Sequence, residues 1–502
     1  MSHGMRARNA HAEPGRLRSD RPARYTCAAW PSGGIGRRSR LKIDRRKASR
    51  FESGEGHSPK AFMSTPGMAS RKALRAALLA LDALAANQPL RGAVSRALES
   101  EPGLGPKERR FVSVSARQVA QLLRRLDAFV SQGELELRKL IPQDRSLVRL
   151  LALRLRVHGA PDGQVLRELA LPGPRRPRSV SDANLVRLAA KMPRELALPA
   201  EAQARRALWH AYPDWLLARL AAAVPEGELD AWLDATAEPP ELFLRVNLLR
   251  ATPESVLEEL RAAGLSVRPG RYLPEALICE DRALLFDTGA FKGGRVAVQD
   301  EASQLIARLC GAGPGLRVLD YCAGAGGKAL ALAGQGAAVS AADAIASRLQ
   351  PLRERAKRAG ATIELLAPDE LPARAFDVVL VDAPCSGLGA LSREPDSKWR
   401  LSRESLDAFP VKQLEILAKA SEAVKPGGRL VYATCSPLPE EDERVVERFL
   451  EGRPEFSLEP PASTLGEPLA ARLGAERTMH LWAHRHGTGS FFAVSLHRAA
   501  SP

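Results

Sequence analysis

Six short apolar runs between residues 316 and 496, separated by stretches with helical spacing, restrict this chain more than anything else in it. They cover 316–320, 338–342, 362–366, 376–381, 430–433 and 490–496. Runs that short and that apolar read as buried strands. Strands alternating with helices predict a doubly wound, Rossmann-like α/β domain over residues 297–500. In such sheets ligands sit in the crevice beyond the carboxyl ends of the strands. The residues that follow each strand are therefore where chemistry is expected.

Two of these strands run straight into a cysteine, in Asp382-Ala-Pro-Cys385-Ser-Gly387 and in Thr434-Cys435-Ser-Pro437. Parallel strands would deliver both thiols to the same rim of one cleft. Paired sulfurs suit a particular chemistry. Carbon 5 of a cytosine or uracil is a poor nucleophile, and a thiolate adding to carbon 6 makes it reactive, dividing one hard step into two easier ones. Afterwards the carbon 5 proton must leave and the sulfur must be expelled, which a second group can assist. A free thiol is little ionised near neutrality, so the site should supply positive charge, with Lys328 the nearest candidate. Asp382 is placed to face the ring nitrogen where charge develops. The commonest fate of a free Cys is a small buried core residue, and Cys27, Cys279 and Cys310 take a core or surface reading. For Cys385 and Cys435 the Pro and Ser neighbours at two strand ends favour the catalytic one.

The turn after the first run is Tyr321-Cys322-Ala323-Gly324-Ala325-Gly326-Gly327-Lys328. A glycine-rich strand-to-helix turn lets the backbone approach a ligand and aims amides at it. The spacing does not fit the dinucleotide fingerprint. Nor is it a Walker A loop, because Ala329 stands where magnesium coordination needs Ser or Thr. A diphosphate ligand is disfavoured. Asp343, closing the second strand, suits a ribose diol, so loop and acid together indicate an adenosine-type ligand without a phosphate chain, such as S-adenosylmethionine. The alternative is a tight turn and a solvated Asp without a ligand. Cys322 shares this rim, in a loop expected to hold the cofactor through its backbone.

The preceding residues divide by composition. Residues 1–62 carry fifteen Lys or Arg against five Asp or Glu, with no apolar periodicity, and a basic, disordered tail is expected over 1–65. It reads as an RNA-binding arm, a solvated tail, or an extension upstream of a start at Met63 or Met68. It supplies ten of the sixteen net positive charges. Helical periodicity begins after Ser70, a candidate N-cap, and continues through the run after Pro106 and from Leu147 to Val157. A helical domain over 66–160 follows, whose basic outer faces, with Arg149, Arg154 and Arg156, would suit RNA phosphates. Residues 161–200, with Pro172-Gly-Pro-Arg-Arg-Pro-Arg178, read as a linker. A small α+β lobe is expected over 201–296. There Thr252, Pro253 and Glu254 mark a helix start, and Arg245 and Asn247 share a strand face expected to be exposed, free to meet a phosphate or base or to do neither.

The net charge of +16 and pI near 10.0 point to a polyanionic partner, nucleic acid before membrane. No apolar run is long enough to span a bilayer, and the N-terminus lacks the apolar core of a secretory signal. Six cysteines without CxxC spacing suggest neither a disulfide scaffold nor zinc. A cytoplasmic protein with reduced thiols and no metal is expected.

These motifs resemble the bacterial family of 16S ribosomal RNA cytosine-5 methyltransferases, the Sun or small-subunit methyltransferase B group. The stretches that carry the resemblance are the Asp320–Lys328 loop, both cysteine motifs, Arg393-Glu-Pro-Asp-Ser-Lys-Trp399, Pro439-Glu-Glu441, Leu244-Arg-Val-Asn247 and Val298-Gln-Asp-Glu-Ala-Ser303. More weakly, the helical region resembles the RNA-binding fold of the antitermination factor NusB. The resemblance implies Cys435 as nucleophile, Cys385 as the residue aiding release, and Asp382 in contact with the cytosine ring and the cofactor region. Residues Cys322, Ala323, Gly324, Ala325, Gly326, Gly327 and Lys328, with Asp343, would hold S-adenosylmethionine, and Asp369 would be the adenine-side acid. The 201–296 lobe would be an RNA-binding subdomain. The chain departs from the family's commonest loop at Gly324-Ala325 and Ala329, and its closing segment, His486 to Phe492, lacks an Asp often found before the aromatic pair. The expected function is methyl transfer to carbon 5 of a specific cytidine in 16S rRNA by a monomer. The alternatives are the same chemistry on tRNA or another rRNA, and a non-catalytic RNA-binding assembly factor.

Overall fold

A computed structural model describes residues 70–169 and 180–500. The tail expected over 1–65, Cys27, Met63, Met68 and the Pro172–Arg178 run lie outside the described residues.

The first part is a helical bundle of α1 (Arg71–Ala85), α2 (Leu90–Glu99), α3 (Pro106–Gln132), α4 (Pro142–Ala152), α5 (Asp162–Leu169) and α6 (Asp182–Lys191). Ser70 caps α1 as expected, its hydroxyl accepting from the Ala73 amide at 3.2 Å. Leu74, Leu78, Leu81, Phe111, Val112, Leu126, Leu147 and Leu151 build the core. Residues 161–200 are not the expected linker: Val165, Leu169, Val180, Leu185, Leu188 and Met192 are buried in this same core. Asp144 reaches across to accept from the Val180 amide at 3.1 Å. Two short amphipathic helices, α5 and α6, lie on either side of the Pro/Gly run, and their few turns give a weaker periodic signal than the breaker residues between them. The three arginines expected to face RNA are instead engaged within the bundle. Arg149 pairs with Asp127 at 2.7 Å, Arg154 with Glu168 at 2.9 Å, and Arg156 donates to the carbonyls of Ala189 and Met192.

Three helices follow, α7 (Ala202–Trp209), α8 (Asp214–Ala223) and α9 (Leu229–Ala237). Their apolar faces, with Tyr212, Leu216, Leu220 and Trp232, pack on Leu388, Leu391, Leu406, Leu438 and Trp482 of the large domain. The small lobe proper is an antiparallel sheet of β1 (Leu242–Val246), β2 (Val267–Pro269), β3 (Ala276–Cys279) and β4 (Val296–Val298), ordered β2-β3-β1-β4. It carries α10 (Pro253–Ala262), capped by Thr252 as expected, and two single-turn helices, α11 (Arg282–Leu285) and α12 (Gly289–Lys292).

The large domain contains α13 (Glu301–Leu309), β5 (Arg317–Asp320), α14 (Gly327–Gly334), β6 (Ala338–Ala341), α15 (Gln350–Ala359), β7 (Ile363–Leu365) and β8 (Phe376–Asp382). The chain continues through α16 (Ser397–Arg400), α17 (Arg403–Ser421), β9 (Val424–Thr434), α18 (Glu443–Gly452) and β10 (Phe456–Glu459). It ends with α19 (Ala462–Leu465), α20 (Glu467–Leu473), β11 (Met479–Leu481), α21 (Ala483–His486) and β12 (Phe491–Arg498). The sheet order is β10-β12-β9-β8-β5-β6-β7, with β11 also paired to β12. Strands β5 to β9 pair in parallel, and β12 runs antiparallel between β9 and β10. All six expected strands are present. Two flanking strands, β10 and β11, had no signal strong enough to separate three or four residues from loop.

Buried polar contacts lock the parts together. The Glu301 carboxylate, fully buried, accepts from the amides of Arg271, Tyr272 and Leu273 at 2.9, 2.6 and 3.0 Å. Arg245 and Asn247 do not lie on an exposed face; they are 5% and 4% exposed. Asn247 donates to the carbonyls of Gly294 and Ala359, tying β1 to the end of α15. Their strand face was expected to meet solvent, but the large domain covers it. The helical bundle docks through the Arg393–Arg400 segment. Trp399 Nε1 donates to the Ala120 carbonyl at 2.6 Å, Lys398 Nζ to that of Gln121 at 2.9 Å, and Asp396 accepts from the Leu90 amide at the start of α2. Lys398 is fully buried over the Tyr212 ring, and burial pushes its ammonium down to about 7.

Candidate active site

Strands β8 and β9 are parallel neighbours, with Asp382 opposite Ala433 in register. The Ala383 amide donates to the Ala433 carbonyl at 2.8 Å, extending the pairing one step past β8. Because both chains leave the sheet together, Pro384-Cys385 and Cys435 emerge side by side. The two Sγ atoms are 3.3 Å apart, and the Cys435 amide points at Cys385 Sγ, also at 3.3 Å. Gly387, at φ +72°, turns the first loop back, and the Gly389 amide then donates to the Cys435 carbonyl at 2.8 Å. A side chain at Gly389 would strike the Ser490 carbonyl oxygen at 2.0 Å, so this close approach requires glycine. The Cys435 sulfur beside it and burial hold the Cys385 thiol well above the ordinary thiol range. The pair therefore keeps a proton on Cys385.

The glycine loop leaves β5 on the same rim. Gly324 and Gly326 adopt positive φ, +51° and +76°. The Ala323 amide bonds the Ala342 carbonyl and the Gly324 amide bonds Asp343 Oδ2 at 3.0 Å, so loop and acid meet as expected. Asp343 Oδ1 accepts from Ile345 at 2.9 Å. Lys328, on the first turn of α14, is buried and donates to Asp382 Oδ2 at 2.6 Å. Burial opposes its charge, but the neighbouring Asp382 carboxylate more than offsets this and keeps the ammonium pKa raised. Its Nζ also sits 5.5 Å from the centre of the Phe491 ring. Burial, with Asp320 and Asp382 nearby, drives the Cys322 thiol strongly upward, so this third sulfur stays protonated.

Eleven of the twelve expected site residues thus line one rim. The exception is Asp369, whose side chain is 88% exposed and paired to Lys419 at 2.7 Å. Its loop follows β7, and the carboxylate is exposed to solvent beside Lys419. Cys279 and Cys310 are buried, as the core reading expected.

Several residues at the site carried no individual signal. Asp320 ends β5 beneath the loop, where burial and the Asp382 carboxylate push its carboxyl up to about 7. Arg393 bonds Asp300 and lies 6.0 Å from the centre of the Phe491 ring, which thus has two cations close to it. Glu441 is 1% exposed directly behind both cysteine loops. The quoted Arg393 and Pro439-Glu-Glu441 stretches contained two of these, but spacing alone does not reveal a buried partner.

Comparison with known proteins places this geometry. Residues 312–497 match the family described as 16S rRNA methyltransferase RsmB/F, and residues 212–283 match the ferredoxin-like domain of RsmF/B-like methyltransferases. A ribosomal RNA small subunit methyltransferase B of Xylella fastidiosa is 36% identical over 294 residues, covering 56% of this chain and 68% of that protein. Over the first such relatives the chain spans 66% and 68% of their own length, about two thirds. Among solved structures, that of PH0851 superposes with a TM-score of 0.71 at 26% identity, covering 85% of this chain and 98% of that one. NSun6 from Pyrococcus horikoshii, solved with SFG, has a TM-score of 0.51 at 20% identity over 58% of this chain and 99% of its own, which shows a shared fold.

Proposed function

Because the chain belongs to the 16S rRNA methyltransferase RsmB/F family, we propose that it transfers a methyl group from S-adenosylmethionine to carbon 5 of a cytidine in 16S rRNA. The observation that carries this reading is the 3.3 Å separation of Cys385 and Cys435 Sγ at the carboxyl ends of adjacent parallel strands.

The residues present fit the cofactor. A side chain at Gly324 would meet only Asp343 Oδ2, at 4.0 Å, and the Asp343 carboxylate lies against the loop. Cys322 to Lys328 and Asp343 would hold it, and when bound it supplies an electrophilic methyl group on a sulfonium. Asp369 belongs to this set only if its loop turns inward.

The chain's own residues account for the rest. Cys435 adds to carbon 6 of the cytosine, forming a carbon–sulfur bond and pushing electron density onto carbon 5 and the ring nitrogen. Asp382, fixed by Lys328, leaves its other oxygen without a hydrogen-bond partner among the described residues, free to face that nitrogen. The charged Lys328 favours the negative charge that develops there. Once carbon 5 carries the methyl group, its proton leaves to a base, the double bond re-forms and the carbon–sulfur bond breaks. Cys385, held as a thiol, donates to the departing Cys435 sulfur. In this reading the helical bundle, NusB-like in its resemblance, and the small lobe hold the RNA. The chemistry is that of a cytoplasmic enzyme, and among the described residues no helix is long and apolar enough to cross a membrane.

Bisulfite sequencing of rRNA and tRNA from cells with and without the gene tests the proposal. Loss of one 16S 5-methylcytidine, with tRNA unchanged, is expected. A lost tRNA site with 16S intact would move the target, and unchanged methylation in both would sink the reading.

A further inference from the structure

Both cysteine loops are fastened to one buried carboxylate. Glu441 Oε2 accepts from the Ser386 amide, next to Cys385, at 2.8 Å. The same oxygen accepts from Gln413 Nε2 at 3.0 Å, and Gln413 also donates to the Pro384 carbonyl at 3.1 Å, on the other side of Cys385. Glu441 Oε1 accepts from Ser436 Oγ, next to Cys435, at 2.6 Å. The backbone carbonyl of Glu441 takes the Tyr432 hydroxyl at 2.6 Å, anchoring the residue to β9. Glu441, Gln413 and Ser436 are each no more than 1% exposed, and Ser386 is 5% exposed.

We propose that Glu441 is a positioning residue that sets the distance between the two sulfurs, a role that rests on the thiol-pair reading above. A carboxylate is an acceptor through both oxygens, so one group can hold donors from two loops at once. Glu441 flanks Cys385 directly at Ser386 and through Gln413 at Pro384, and Cys435 at Ser436. Neither loop belongs to the sheet at these positions. The Gly389 amide and the Ser386–Ser436 hydroxyl contact remain without the clamp, but they hold neither loop to a common anchor. Displacement of a sulfur by about 1 Å costs on the order of a hundredfold in rate. Glu441 touches neither sulfur and needs no contact with substrate. It acts through the loops.

The test uses the full chain and phenylarsine oxide, a trivalent arsenical that is retained only when two thiols can bind it together. The wild-type protein is expected to retain it through Cys385 and Cys435. In Glu441→Ala, retention should fall by about tenfold or more and kcat for RNA methylation by about a hundredfold, with KM for S-adenosylmethionine unchanged. Glu441→Gln should restore most of both, because its carbonyl oxygen can keep the Ser386 amide and Gln413 while its amide donates to Ser436 Oγ. Should Glu441→Ala fail to fold, Ser436→Ala, which removes the Cys435 arm together with the hydroxyl's contacts to Ser386 Oγ and the Leu438 amide, must lower arsenical retention and kcat in the same direction. Wild-type retention in whichever alanine variant folds would overturn the proposal. Arsenical retention reports thiol spacing whether or not the protein methylates RNA. Failure of the positioning role is thereby distinguished from failure of the methyltransferase reading, which would appear as no methylation by the wild type.

Discussion

Lys328 Nζ and Asp382 Oδ2 form a 2.6 Å ion pair that joins the glycine loop to the strand leading into Cys385. The lysine side chain is 9% exposed and the aspartate 32%, so the pair is screened on one side only. Asp382→Asn leaves the ammonium buried without its anion. Allowing for the partial exposure, the expected loss is about 1–3 kcal/mol of folding stability. Methyl transfer should fall by about 10²-fold or more as the ring nitrogen loses its partner. Urea unfolding and single-turnover methylation measure the two effects separately.

The proposed function gives the two thiols unequal roles, and their variants should differ in kind. Cys435→Ala is expected to abolish both methylation and covalent trapping of RNA. Cys385→Ala should let a protein–RNA adduct accumulate, visible as a band that survives denaturing electrophoresis. An adduct formed by Cys435→Ala would reverse the assignment.

At Gly326 a side chain is opposed twice over. The residue sits at φ +76°, and a Cβ would lie 2.1 Å from Leu352 Cδ1. Gly326→Ala should cost about 2–4 kcal/mol from the left-handed backbone and the overlap together. Calorimetric titration with S-adenosylmethionine should show weakened binding, while arsenical retention by the cysteines stays intact.

Lys398 predicts a pH dependence. Burial lowers its folded-state pKa to about 7 from an ordinary 10.5. Between those values the unfolded chain holds a proton that the folded chain lacks, so stability from this group rises as pH rises from about 7 towards 10. Below about 7 both states are protonated and the contribution is flat. Lys398→Met should flatten the increase in melting temperature between pH 7 and pH 9 relative to the wild type. An identical slope in the two proteins would remove Lys398 as its source.

Local pattern was enough for the large domain. Strands such as 376–381 and 430–433 announce themselves by apolar runs, and the cysteines follow them directly, so their juxtaposition was legible from order alone. The glycine loop and Asp343 were legible for the same reason, being the ends of consecutive strands. Surfaces between domains were not. Arg245 and Asn247 alternate with apolar neighbours just as exposed residues do, and only the docked large domain makes them buried. Arg149, Arg154 and Arg156 read as a basic face because their partners, Asp127, Glu168 and the end of α6, lie far away along the chain. Asp369 pairs with Lys419, fifty residues further along the chain, a partner that a loose motif match cannot reveal. Glu441 stood within a matched stretch, yet its role depends on donors from Ser386, Gln413 and Ser436, which no spacing rule connects.

The position of β12 has a temporal implication. This strand is laid down after every other strand of the large sheet, yet it lies between β9 and β10 and brings Phe491 over Lys328. During vectorial synthesis on a ribosome, β9 must wait as an open edge while some sixty residues more are made. The newborn chain thus carries Cys435 just past an unfinished strand. The rim that carries Cys385 and Cys435 is closed only when this last strand takes its place beside β9.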